Sequence, residues 1–194
     1  QRTATANTAP APKTGWERVE STFRLLSLIA IAASAGVSAL NFYQGYLDSK
    51  KDRSIELMSN WQKTGVRSTY AQLGGILIPA ITDAGELPAN LPEQARQLAR
   101  KQIGANLLES LKTGDATTLK EIEAQTDVVV VFFSEVEFCL RADVCNADLL
   151  KDYFKTEVTL FWDYFQAYAF DQRAGLYPSY GEAVEALAIS FREP

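Results

Sequence analysis

The sequence predicts an all-α protein, an N-terminal transmembrane helix followed by a small helical bundle. Three observations predict it. Residues 25–47 form a run of 23 without a charge. The remaining apolar residues recur at helical spacing between clear stop signals. No segment carries the paired alternation that would give a sheet its strands.

The opening stretch, residues 1–15, is rich in Ala, Thr and Pro and has no apolar period. It is expected to be a flexible tail, because it cannot bury enough surface to offset ordering. Residues 16–47 come next as the transmembrane helix with its N-terminal flank. At 1.5 Å per residue the uncharged run spans roughly 34 Å, enough for a hydrocarbon core of ~30 Å. Trp16 and Phe23 at one end, and Phe42, Tyr43 and Tyr46 at the other, suit interfacial positions. Ala30, Ser34 and Ser38 are spaced by four, as are Ala32 and Gly36. Small residues at that spacing permit close helix–helix packing in lipid, so Ala30, Ser34, Gly36 and Ser38 are the candidate packing face.

Residues 48–194 carry 15 basic and 22 acidic side chains, and this acidic part reads as one helical domain. Its juxtamembrane segment, 48–81, continues the first helix through Ile55, Met58 and Trp61. Gly65, Gly74, Gly75 and Pro79 interrupt or end the stretch beyond Trp61. A loop over 82–91 leads into the bundle proper, 82–194. There Pro92 suits a first helical turn, and Ala95, Leu98, Ala99, Ile103, Leu107 and Leu111 give a stripe. Thr118 with Glu121 fits a capping box. The helix it opens contains the β-branched run 128–131, yet Val129, Phe132, Phe133, Val136 and Leu140 keep a helical period. Asn146 is placed to cap a helix of residues 147–173, and Ser179 with Glu182 to open a last short one.

A resemblance enters with these pieces. Phe132, Phe133 and Glu135 precede a turn over 143–148, then a long aromatic helix with Phe154, Trp162 and Arg173, and a closing short helix through Ala186, Leu187 and Ala188. In this the chain resembles an uncharacterised bacterial family of single-span, membrane-anchored all-helical proteins, including the basic residues Lys50, Lys51 and Arg53 after the span. The resemblance implies the fold and no established activity. It also implies a cytoplasmic domain.

Chemistry is constrained by what is missing. The chain has no histidine and only two cysteines, which removes His-based nucleophile systems, histidine metal sites and cysteine zinc sites. No phosphate-binding or dinucleotide fingerprint occurs. No cofactor and no metal are expected. The formal charge of -5 argues against nucleic acid as a partner. Glu135 and Glu137 point apart on a helix, and Asp143, Asp148 and Asp152 read as a solvated face. Glu135 or Asp163 is the acid or base an enzyme reading would have to use. Cys139 and Cys145 are six apart across a chain reversal, a spacing open to a disulfide or to two small buried thiols. Eight of the eighteen residues 153–170 are aromatic. Phe154, Val158, Phe161, Phe165 and Tyr168 form a core stripe; Tyr153, Trp162 and Tyr164 fall off it and are the candidate partner contacts.

The function expected from this pattern is non-enzymatic: an accessory or scaffold subunit of a larger membrane complex, photosynthetic or respiratory, with the lipid bilayer and other membrane-protein subunits as partners. The alternative is a membrane-anchored sensor or a helical domain binding a lipid or small ligand. The expected localisation is the bacterial inner membrane, single-pass. Basic residues flanking the span favour a cytoplasmic domain, the cysteine pair favours a periplasmic one, and the balance tips to the periplasm.

Overall fold

The computed structural model describes residues 15–84, 88, 90–114 and 116–193, with backbone alone at 15–33, 35 and 116. The expected tail therefore lies outside the described residues, save for Gly15. The chain divides into two compact units, Gln1–Tyr46 and Leu47–Pro194. Among the described residues the structure is six helices and no strand: α1 (Gly15–Lys63), α2 (Val66–Ala84), α3 (Glu93–Thr113), α4 (Ala116–Arg141), α5 (Ala147–Ala174) and α6 (Glu182–Arg192).

No helix among the described residues is long and apolar enough to cross a membrane. This overturns the expected transmembrane helix and the single-pass inner-membrane localisation built on it. The described side chains give the physical reason. Ser34, Ser38, Asn41 and Gln44 interrupt the apolar side chains of α1, and the charged residues Asp48, Lys50, Lys51, Asp52 and Arg53 follow on the same helix. The side chains of residues 25–33 and 35, Ala30 and Ala32 among them, lie outside the described residues. Ser34, Gly36 and Ser38 are exposed, and a Cβ at Gly36 would meet nothing within 4 Å.

The 47–194 unit is built around α5, which packs on α3, α4 and α6, while α4 packs on α2 and α6. Residues 48–81 belong to this unit: Leu57, Trp61, Val66, Leu73 and Leu77 enter the same core as α4 and α5. Trp61 stacks on Phe133 at 5.5 Å and meets Phe154 edge-on at 5.6 Å. Such aromatic pairs add to the burial that holds the bundle. The β-branched run 128–131 is helical, with Val129, Phe132, Phe133 and Val136 buried.

Local signals set several helix ends. Gly65 takes φ +84 between α1 and α2, a conformation open to glycine at little steric cost. The Asn146 side chain accepts from the Leu149 N–H at 2.9 Å and caps α5. Other ends differ from expectation. α2 runs through Gly74, Gly75 and Pro79, because Leu73 and Leu77 are anchored in the core and one lost backbone bond is tolerated there. α4 begins at Ala116, so Thr118 sits inside its first turn rather than capping it. Gly181, left-handed at φ 69, precedes α6 in place of Ser179. On α3 the buried face is Ile103, Gly104 and Leu108, and Leu98 is 69% exposed. Of the expected stripe, Ile103 is buried and Leu107 and Leu111 pack against the core, so it departs at Leu98, while Gly104 lets α3 approach the backbone of α5 at Tyr164.

Candidate functional site

α4 carries more apolar residues than one face can bury. Its core stripe leaves Val128, Val131 and Phe138 on the outside, and Val131 and Phe138 are 58% and 61% exposed. Together with Leu57 of α1 and Val144 of the turn after α4, Val131 and Phe138 line an open groove of about 620 Å3, with Arg53 and Glu135 also on its wall. The Arg141 guanidinium sits 5.9 Å from the Phe138 ring centre.

The wall of this groove at Cys139 and Val144 is held by the chain reversal after α4. Cys139 and Cys145 are bonded as a disulfide, their Cα atoms 5.5 Å apart. The Val144 N–H donates to the Cys139 carbonyl at 3.1 Å. Ser54 of α1, fully buried, accepts from the Asn146 N–H at 2.8 Å and donates to the Lys50 carbonyl at 2.9 Å. Lys50 also pairs with Asp143. These contacts tie α1 to the turn and give the groove a fixed shape.

The residues singled out for chemistry are spread apart. Asp163 is 1% exposed. Its Oδ2 accepts from Arg100 Nε at 3.0 Å, and its Oδ1 from Arg192 Nη2 at 2.6 Å. Both carboxylate oxygens are thus engaged by arginines from α3 and α6. Arg100 also reaches Glu93, whose carboxyl is held below its ordinary range chiefly by that hydrogen bond. Glu135 is exposed on the groove wall, and Glu137 pairs with Arg141 at 3.3 Å. Neither approaches Asp163 to make a catalytic couple of the kind acid–base chemistry uses.

Of the candidate partner contacts, Trp162 is buried, with Phe170 edge-on at 5.9 Å and the Arg173 guanidinium 5.8 Å from its ring. It offers no free face on this unit. The Tyr153 hydroxyl accepts from Gln62 Nε2 at 2.6 Å. Tyr164 lines a cleft of about 280 Å3 between α2 and α5, with Tyr70, Leu73, Leu77, Phe161 and Phe165. Burial pushes the Tyr70 hydroxyl well above its ordinary value. Sequence reasoning passed over Val131 and Phe138, although their position off the α4 core stripe was a readable signal. Arg100 and Arg192 had no such signal, being distant in sequence from Asp163.

No protein-family profile, no curated protein and no solved structure matches the chain. The likeness of residues 132–188 to a membrane-anchored family accordingly rests on the sequence pattern alone.

Proposed function

We propose that this protein is a non-enzymatic scaffold whose 47–194 unit binds a helix of a partner protein in the groove between α1 and α4. The observation that carries the reading is the exposure of Val131, Phe138 and Val144 around one groove. A contiguous apolar surface of this kind is costly to leave in water and is what interaction sites look like. The groove runs between two helices, so an amphipathic helix with apolar residues at i, i+3 and i+7 fits it. Arg53 and Glu135 supply one charge of each sign for matching side chains. Asp163, clamped by two arginines, serves the bundle rather than a reaction.

The test is isolation of the full chain from its native source under mild conditions, with the stoichiometry of the product measured. Co-isolation of another protein in fixed ratio is expected, lost in Phe138→Asp and kept in Leu98→Asp, which alters an exposed apolar residue on α3. Recovery of the wild type alone, or of the same complex with Phe138→Asp, would overturn the proposal.

A second reading is favoured by the α2–α5 cleft. Its lining is apolar apart from two tyrosine hydroxyls, and at about 280 Å3 it approaches the size of small-ligand sites. A small apolar ligand would enter beside Gly74, where a Cβ meets nothing within 4 Å. Saturable binding of an anilinonaphthalene dye, abolished by Gly74→Leu, is the result this reading requires.

A further inference from the structure

Adjoining the first groove along Val130, Val131 and Ser134 of α4 lies a second, of about 660 Å3, between that helix and the segment joining α5 to α6. It is lined by Tyr168, Tyr177 and Tyr180 together with Glu123 and Asp127, and by no lysine or arginine. We propose that this groove binds an organic cation, an alkylammonium or guanidinium group, between the tyrosines and the two carboxylates. Its tyrosines and carboxylates lie outside the α1–α4 groove, so the inference does not require that groove to be occupied.

The groove is built rather than incidental. Gly181, at φ +69, brings the connecting segment against α5, where a Cβ would lie 3.2 Å from Ala169 Cβ and 3.5 Å from Trp162. Arg173 donates from Nε to the Tyr180 carbonyl at 2.7 Å and from Nη1 to Glu185 at 2.8 Å, pinning the same segment. The Tyr180 N–H donates to the Tyr177 carbonyl at 2.9 Å, which holds both tyrosines in one turn. Tyr168 and Tyr180 meet edge to face at 5.7 Å. A site held by its own scaffold spends little binding energy on ordering.

Its charge is one-sided. The Tyr180 hydroxyl donates to Asp127, and neither Asp127 nor Glu123 has a lysine or arginine partner among the described residues. Tyr180 is pushed far above its ordinary value, first by burial and then by its hydrogen bond to Asp127. Tyr168 is pushed up by burial first, then by the negative charges of Asp127 and Glu123. A cation is what this field attracts. A metal ion is the poorer choice, because among the described residues no three carboxylates, thiols or imidazoles converge. Tyrosine rings instead favour a cation that is itself partly apolar and weakly hydrated.

The experiment is an NMR titration of the isotope-labelled full chain with three probes. Choline chloride tests a free cation, a blocked Ala-Ala-Arg-Ala-Ala peptide tests a chain-borne one, and 3,3-dimethylbutan-1-ol is the neutral isostere of choline. Saturable shifts at Asp127, Tyr168, Tyr177 and Tyr180, with Kd about 1 mM or tighter, are expected for one or both cations and not for the alcohol. Binding of choline identifies a small-molecule site; binding of the peptide alone identifies a site for a basic segment. Asp127→Asn keeps an acceptor for Tyr180 and should weaken binding about tenfold at low salt. Tyr177→Ala, at a 59% exposed position, should weaken it roughly two- to fivefold. Equal shifts with the neutral alcohol, shifts that never saturate, or undiminished binding by Asp127→Asn would overturn the proposal.

Discussion

Replacing Gly104 with alanine sets two opposed effects against each other, and the structure decides between them. As a residue inside α3, glycine is the worse helix former, so alanine alone would stabilise by about 1 kcal/mol. But a Cβ built at Gly104 lies 1.9 Å from the Tyr164 carbonyl oxygen and 2.7 Å from its carbonyl carbon. Both are backbone atoms of α5, unable to swing aside as a side-chain tip could. Reaching an ordinary contact of ~3.5 Å would require the two helices to part locally by about 1.5 Å. Ile103 and Leu108, buried on the same face, would then lose much of their contact with α5. A radial gap of 0.5–1 Å already forfeits roughly a quarter to a half of each atom-pair attraction. The steric loss is therefore about 3–4 kcal/mol, and the net destabilisation about 2–3 kcal/mol, in line with overpacked cores. Urea unfolding monitored by far-ultraviolet circular dichroism measures it, and in thermal melts the same change appears as a drop of roughly 5–10 °C. Gly75→Ala is the internal control. It lies in α2 with nothing within 4 Å of its Cβ, and should gain up to about 1 kcal/mol. If Gly104→Ala matched or exceeded the wild type in stability, the close α3–α5 approach would be wrong.

Three further outcomes rest on the same packing. Asp163→Asn strips the charge that pairs Arg100 and Arg192, and should cost about 3 kcal/mol in urea unfolding. Arg192→Met should cost less, because Asp163 keeps Arg100. Tyr70, Tyr168 and Tyr180 are each held above the ordinary tyrosine value of 10.0, chiefly by burial. Their folded values are raised, so the stability they contribute is complete below pH ~10 and falls as pH rises towards those folded values. In a titration at 295 nm they should ionise only together with unfolding. Finally, the Cys139–Cys145 bond spans a sequence separation of 6, so Cys139→Ala/Cys145→Ala should lower stability by about 2 kcal/mol. Alkylation before and after reduction, read by mass spectrometry, reports the bond itself.

How far the helices were readable differs from one to the next. The α5 stripe of Phe154, Val158, Phe161, Phe165 and Tyr168 is apparent from spacing, and all five are buried. The Asn146 cap is equally local, since its partner Leu149 is three residues away. α3 was legible in part: Ile103, Leu107 and Leu111 of its stripe face the core, while Leu98 does not. The close approach to α5 depends on the absence of a side chain at Gly104, which no hydrophobic pattern registers. α2 misled: Gly74, Gly75 and Pro79 are breakers in isolation, yet core contacts of Leu73 and Leu77 override weak local preference.

The candidate sites divide along the same line. The surplus of apolar residues on α4 could be counted, so Val131 and Phe138 were within reach of the sequence. The tyrosine–carboxylate groove was not, because Asp127 and Tyr180 stand 53 positions apart.

By itself the sequence determined that the described chain is helical, where α5 begins and that its stripe from Phe154 to Tyr168 is buried. Those properties depend on neighbours three or four residues away, through backbone bonds and one-sided apolar spacing. Only the tertiary structure decided that Asp163 sits between Arg100 and Arg192, that Gly104 meets the backbone of Tyr164, and which surplus faces remain uncovered. Contacts between helices are selected by how whole surfaces fit together, and that complementarity leaves no periodic trace along the chain.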